Sequence, residues 1–184
     1  GKNINDNCGA VNIKELSQKV LSSKADIGFA FDGDGDRLIA VDEKGFEVDG
    51  DKLIALFTKE FIKLKKLNKK TVVTTVMSNL GFEKYLTSDL GVNLIRKNVG
   101  DINVITEMQK NNYTLGGEQS GHIILGQYMN TGDGILAALK ITEFLSNQNL
   151  KASKIFDLYQ TYPQIKKNIY IKEKITKKIE NQIN

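Results

Sequence analysis

The chain has 184 residues, with 26 Lys and Arg against 22 Asp and Glu, a formal charge of +4. That length suits one ordinary domain or two small ones, and 40% apolar with 26% charged residues argues against collagen-like, disordered and membrane classes. No apolar run approaches the ~18–20 residues of a membrane span, Gly1-Lys2-Asn3-Ile4 does not begin a signal peptide, and the single Cys8 has no internal disulfide partner, so a cytoplasmic protein is expected.

Ile13, Leu16, Val20 and Leu21 fall at helical spacing behind Asn12, a capping residue type. Residues 26–31 form an apolar run of strand length, and residues 38–41 a second. Between them lies an acidic stretch, and Glu43-Lys44-Gly45 reads as a turn. Leu53, Ile54, Leu56, Phe57, Phe61, Ile62 and Leu64 predict a helix over residues 51–67. Residues 71–76 are β-branched and strand-like. Helical patterns follow at 79–90, 101–110 and 133–145, with extended runs at 92–95, 113–115 and 122–125. A short helix is expected at 153–159, a strand at 168–171 and a Lys-rich helix at 173–183.

Strands separated by helical segments imply an α/β fold, with a mixed, mainly parallel sheet and helices on both faces. Candidate boundaries divide the chain into residues 1–47, 48–150 and 151–184, and only the middle piece has a comfortable domain size. The charge is uneven. From Lys166 onward six Lys stand against two Glu, so the rest of the chain is neutral. Only Arg37 and Arg96 are arginines, and no nucleic-acid motif joins the basic tail, so neither a nucleic-acid nor a membrane partner is expected.

Asp32-Gly33-Asp34-Gly35-Asp36-Arg37 is the strongest chemical signal. Its glycines permit a tight loop that turns three carboxylates toward one point. Clustered anions repel one another unless a cation neutralises them, and hard oxygen ligands suit Mg²⁺ or Ca²⁺. An EF-hand is a poor match, because its sixth position holds Arg37 where glycine is needed and its flanks read as strands. A dinucleotide loop fails at Leu38. A solvated acidic turn is the bland alternative. Arg37 either clamps a phosphate or pairs with an aspartate to hold the loop.

Gly116-Gly117-Glu118-Gln119-Ser120-Gly121-His122 is a glycine-bracketed loop between two extended runs. Its carboxylate, hydroxyl and imidazole offer acceptors and donors suited to a polyol such as a sugar, whereas His122 alone reads as structural.

The two loops in this order resemble the α-D-phosphohexomutase superfamily, and within it the phosphoglucosamine mutase branch. Val48-Asp49-Gly50-Asp51, Thr75-Val76-Met77-Ser78-Asn79-Leu80-Gly81 and Asn130-Thr131-Gly132-Asp133-Gly134 add to the resemblance, which runs from about residue 3 to 165. It implies intramolecular phosphoryl transfer from glucosamine 6-phosphate to glucosamine 1-phosphate through a bisphosphate, for amino-sugar and cell-wall precursor synthesis. It also implies that Asp32, Asp34 and Asp36 hold Mg²⁺ and that Arg37 lies near the transferring phosphoryl group. Glu118 and Ser120 would hold sugar hydroxyls, and His122 would support that loop or touch the ligand. On this reading residues 1–47 end a second domain, 48–150 are a third, and 151–184 are a linker with the start of a fourth.

The chain departs from that family in several places. The phosphoserine loop (Thr-Ala-Ser-His-Asn-Pro) and the Arg-x-Ser-Gly-Thr phosphate loop are absent from the 184 residues, and Ile102-Asn103 stand where the family carries Arg-Tyr. The chain alone is therefore expected to show no turnover. The alternatives are a phosphomannomutase or phosphoglucomutase, or a non-catalytic remnant that binds Mg²⁺ or sugar phosphate. Partners are then a hexosamine phosphate and the missing domains as a separate chain, or self-association.

Overall fold

The computed structural model of the chain describes residues 2–165, so the strand expected at 168–171 and the helix expected at 173–183 lie outside the described residues. After a 3₁₀ turn at Gly9–Val11 come α1 (Lys14–Ser23), β1 (Ile27–Phe31), β2 (Leu38–Asp42) and β3 (Glu47–Val48). These strands make an antiparallel sheet in the order β1-β2-β3, with Phe31 opposite Leu38. Asn12 does not cap α1 as a true N-cap. Ile13 holds that place, and the Asn12 side chain accepts the Lys14 N–H instead. The Asp42 carboxylate accepts the Lys44 and Phe46 N–H groups, which closes the turn into β3. Pattern reading missed β3, because two residues are too few to show a period.

The mainly parallel arrangement belongs to a second sheet. The loop of residues 32–37 is too short for a parallel crossover, so the first sheet is antiparallel. The second sheet is built from β4 (Thr71–Thr75), β5 (Asn93–Lys97), β6 (Leu115–Gly117) and β7 (Ile123–Leu125), in the order β5-β4-β6-β7. β4 runs parallel to β5 and β6, and β7 is antiparallel to β6. The helices are α2 (Gly50–Lys63), α3 (Leu80–Lys84), α4 (Asp101–Asn111), α5 (Gly134–Ser146) and α6 (Ala152–Ile155).

Alternate residues of the buried strands feed two cores. Val72, Leu115, Ile123 and Leu125 join Phe57 and Phe61 of α2 and Ile141 and Phe144 of α5. Val73 and Ile124 point to the other face and meet Val104 and Met108 of α4. Helices therefore cover both faces, as period-two strands buried on two sides require. Gly116 is needed at this seam, since a Cβ there would lie 2.5 Å from the Met108 sulfur and 2.8 Å from the Val73 carbonyl.

Three elements differ from their expected lengths. α2 stops at Lys63, because the chain reverses through Lys65 at φ +57° and the Lys66 N–H closes onto the Phe61 carbonyl. The helix expected over 79–90 is α3 followed by a π-turn at Tyr85–Asp89, which ends with the Leu90 N–H on the Tyr85 carbonyl. α6 covers four residues only. Lys52 Nζ donates to the Tyr159 carbonyl at 2.6 Å and draws the following residues into a strap across the N-termini of α2 and α3. That strap is fixed further by Asn79, whose amide donates to the Tyr162 carbonyl and whose side-chain oxygen accepts the Tyr162 N–H.

Candidate active site

The acidic stretch is the hairpin loop between β1 and β2. The Gly35 N–H donates to the Asp32 carbonyl, and Gly35 takes φ +76°, a turn that favours glycine. The Asp32 carboxylate accepts the backbone N–H of Arg37 at 3.1 Å. Ligand oxygens of Asp32, Asp34 and Asp36 all lie within 4.8 Å of one another, a group that could hold a metal ion. Asp36 Oδ1 is buried and accepts no hydrogen bond. Burial first, then the Asp32 and Asp34 carboxylates, raise the Asp36 pKa against the opposing pull of His122. A cation among these oxygens would relieve both the repulsion and the orphaned acceptor. Arg37 Nε stands 3.7 Å from Asp32 Oδ2 and 4.0 Å from Asp36 Oδ1, so the guanidinium leans on the loop while its side chain stays 42% exposed.

The second loop closes on itself between β6 and β7. The Glu118 N–H donates to the His122 carbonyl, and the Gly121 N–H to the Glu118 carbonyl. Gly121 adopts φ +94°, and a Cβ there would lie 2.3 Å from the Leu38 carbonyl. Glu118 is buried. Its Oε1 accepts the Gly100 N–H at 3.1 Å, and its Oε2 accepts from the Ser120 hydroxyl at 3.4 Å. The N-terminus of α2 lies directly beneath. The Gly50 N–H donates to the Gln119 carbonyl, and Asp49, which caps α2 through the Lys52 N–H, accepts from Gln119 Nε2.

The two loops meet. The Leu38 N–H donates to the Gly121 carbonyl at 2.9 Å, and Arg37 and His122 form an isolated antiparallel bridge. His122 Nδ1 donates to Asp36 Oδ2 at 3.1 Å. A third segment completes the junction, since the Gly134 N–H donates to the Gly35 carbonyl and Gly132 packs against the imidazole. His122 is 2% exposed, and burial fits support of the loop better than contact with a ligand.

Beside this junction opens a cleft of about 620 Å³. Its lining includes Arg37 of the first loop, Glu118, Gln119 and Ser120 of the second, and Glu47, Asp49, Thr75 and Met77. Reading the sequence by function missed Glu47 and Asp49. Only the resemblance of Val48-Asp49-Gly50-Asp51 to a family motif hinted at that segment.

Comparison with known proteins agrees with this geometry. The sequence profile of the phosphoglucomutase/phosphomannomutase alpha/beta/alpha domain III matches residues 49–162. Phosphoglucosamine mutase of Zymomonas mobilis subsp. mobilis is 49% identical over 169 residues, covering 92% of this chain and 38% of the relative. The chain thus spans about two-fifths of the length of the curated relatives it matches. A phosphoglucomutase/phosphomannomutase family protein from Burkholderia thailandensis superposes with a TM-score of 0.72 at 24% identity, over 81% of this chain and 32% of its own. Aspergillus fumigatus N-acetylphosphoglucosamine mutase, solved with GlcNAc-6P and magnesium, gives 0.65 at 20% identity over 85% of this chain and 38% of its own. Both structures share the fold. Among the described residues no helix is long and apolar enough to cross a membrane.

Proposed function

The chain belongs to the phosphoglucomutase/phosphomannomutase family, and from that premise we propose that it is the metal-loop and sugar-loop portion of a phosphoglucosamine mutase. The reaction is intramolecular phosphoryl transfer that converts glucosamine 6-phosphate to glucosamine 1-phosphate through a bisphosphate, in the cytoplasm. Residues 1–47 are assigned to the end of a second domain, 48–150 to a third, and 151–184 to a linker with the start of a fourth. The match beginning at residue 49 supports that division, although β3 pairs Val48 with the first sheet. The observation that carries the reading is the convergence of both loops on one cleft.

In this assignment Asp32, Asp34 and Asp36 hold Mg²⁺, which neutralises charge on the transferring phosphoryl group when bound. Asp36 is kept in register by His122 Nδ1. Arg37 presents its guanidinium to phosphate oxygens from the edge of the cleft. Glu118 accepts from a sugar hydroxyl and Ser120 donates to or accepts from another, and the Gly100 N–H holds the carboxylate in place. The phosphoserine that starts the cycle is not among these 184 residues, so the chain by itself is assigned binding without turnover.

Ile102, exposed in the position where the family carries Arg, favours a second reading as a binding remnant of reduced competence. Titration calorimetry with Mg²⁺ and with glucosamine 6-phosphate tests the assignment. Heat is expected from each, with D34A removing the first and S120A weakening the second by about 1 kcal/mol. No heat from either ligand would overturn it.

A further inference from the structure

The lining of the cleft is unbalanced in charge. Glu47, Asp49 and Glu118 face it with a single cation, Arg37. Two of the three carboxylates are already engaged. Glu118 accepts from Gly100 and Ser120, and Asp49 accepts from Lys52 and Gln119. Glu47, the first residue of the two-residue strand β3, is partly exposed, and its carboxylate has no hydrogen bond or cationic partner among the described residues. Partial burial and the nearby Asp49 carboxylate raise its pKa, as expected where negative charge is left uncompensated. Arg37 belongs to the acidic loop, whereas Glu47 lies in β3 and Asp49 caps α2.

A hexose phosphate is anionic at its phosphate and neutral around the ring, so the unpaired carboxylate of Glu47 gains only a neutral hydrogen bond from a ring hydroxyl. It gains from a ring ammonium, which supplies the missing cation. We propose that Glu47, backed by Asp49, is a specificity-determining residue that makes this cleft select a 2-amino sugar phosphate over the same sugar with a 2-hydroxyl or 2-acetamido group. The inference rests on the sugar-phosphate reading above and assigns its selectivity to residues outside both motif loops.

Calorimetric titration of the 184-residue chain with glucosamine 6-phosphate, glucose 6-phosphate and N-acetylglucosamine 6-phosphate tests it, because the three differ only at the 2-substituent. The amino sugar is expected to bind about five-fold tighter than either neutral analogue, the size of a partly exposed ion pair. E47Q is expected to bring the three affinities together by weakening the amino sugar alone, and E47K to reverse the order. Equal binding of all three by the unaltered chain, or selectivity that survives in E47Q, would overturn the inference and leave the sugar-phosphate reading standing. Failure of all three to bind would overturn both.

Discussion

Asp51 is completely buried at the first turn of α2, where its carboxylate accepts the Asn79 N–H at 2.7 Å. Burial pushes its pKa up to about 7, with the Asp49 carboxylate adding to the rise against the Asn79 hydrogen bond. An acid whose folded pKa exceeds its unfolded value binds more protons when folded. Its contribution is therefore fully present below about pH 4 and is lost as pH rises through 7. Urea denaturation is expected to show stability falling between about pH 4 and pH 7, with Asp51 contributing on the order of 3 kcal/mol to that fall, and D51N flattening it. A neighbouring position carries a steric constraint. A Cβ on Gly50 would stand 2.1 Å from the Glu118 carbonyl and 2.8 Å from the Gly121 nitrogen. G50A should cost about 1–3 kcal/mol in the same experiment and shift the amide resonances of Glu118 and Gly121. Val48-Asp49-Gly50-Asp51 resembles a family motif, yet neither property was visible in it, because both arise from chain far away in sequence. Asp32, Asp34 and Asp36 were readable, since their proximity is set by the two glycines between them.

At the level of elements, α2 is the pillar of the larger core. Phe57 is fully buried and meets Phe61 and Phe144 edge to face, with ring centroids 6.0 and 5.6 Å apart. F57A is expected to cost roughly 3–5 kcal/mol, measured as a shift in the urea midpoint. The long periodic helices and the β-branched β4 were plain in the sequence, because burial on a helix face or within a sheet imposes a regular apolar spacing. The elements that went astray have non-local causes. β6 lies two residues later than expected because Gly116 and Gly117 accept the close approach of α4 and of the His122 carbonyl. α6 is short because Lys52 and Asn79 capture the residues after it. The antiparallel first sheet follows from a loop length, which apolar periodicity does not report.

For the molecule as a whole, β1 and β5 are edge strands among the described residues, and Ile27, Phe29 and Phe31 of β1 are only partly buried. On α5, Ile135 and Leu139 lie one turn apart and are 60% and 64% exposed. Unpaired strand edges beside apolar surface favour association. Light scattering over a wide concentration range is expected to show the chain's apparent mass rising with concentration, and a constant monomer mass would contradict this. The family and the two motif loops were legible from sequence, whereas the part that Glu47 and Asp49 take in the cleft lining was not.

The contact between Asp36 and His122 spans 86 residues. Closing a segment of that length carries an entropic cost that neither loop can offset by itself, while the β1–β2 hairpin and the β6–β7 pair each form from residues close in sequence. Each half of the junction can therefore reach its native shape before the other exists. The site is therefore expected to assemble late in folding, when two preformed turns dock, and to be among the first contacts to open.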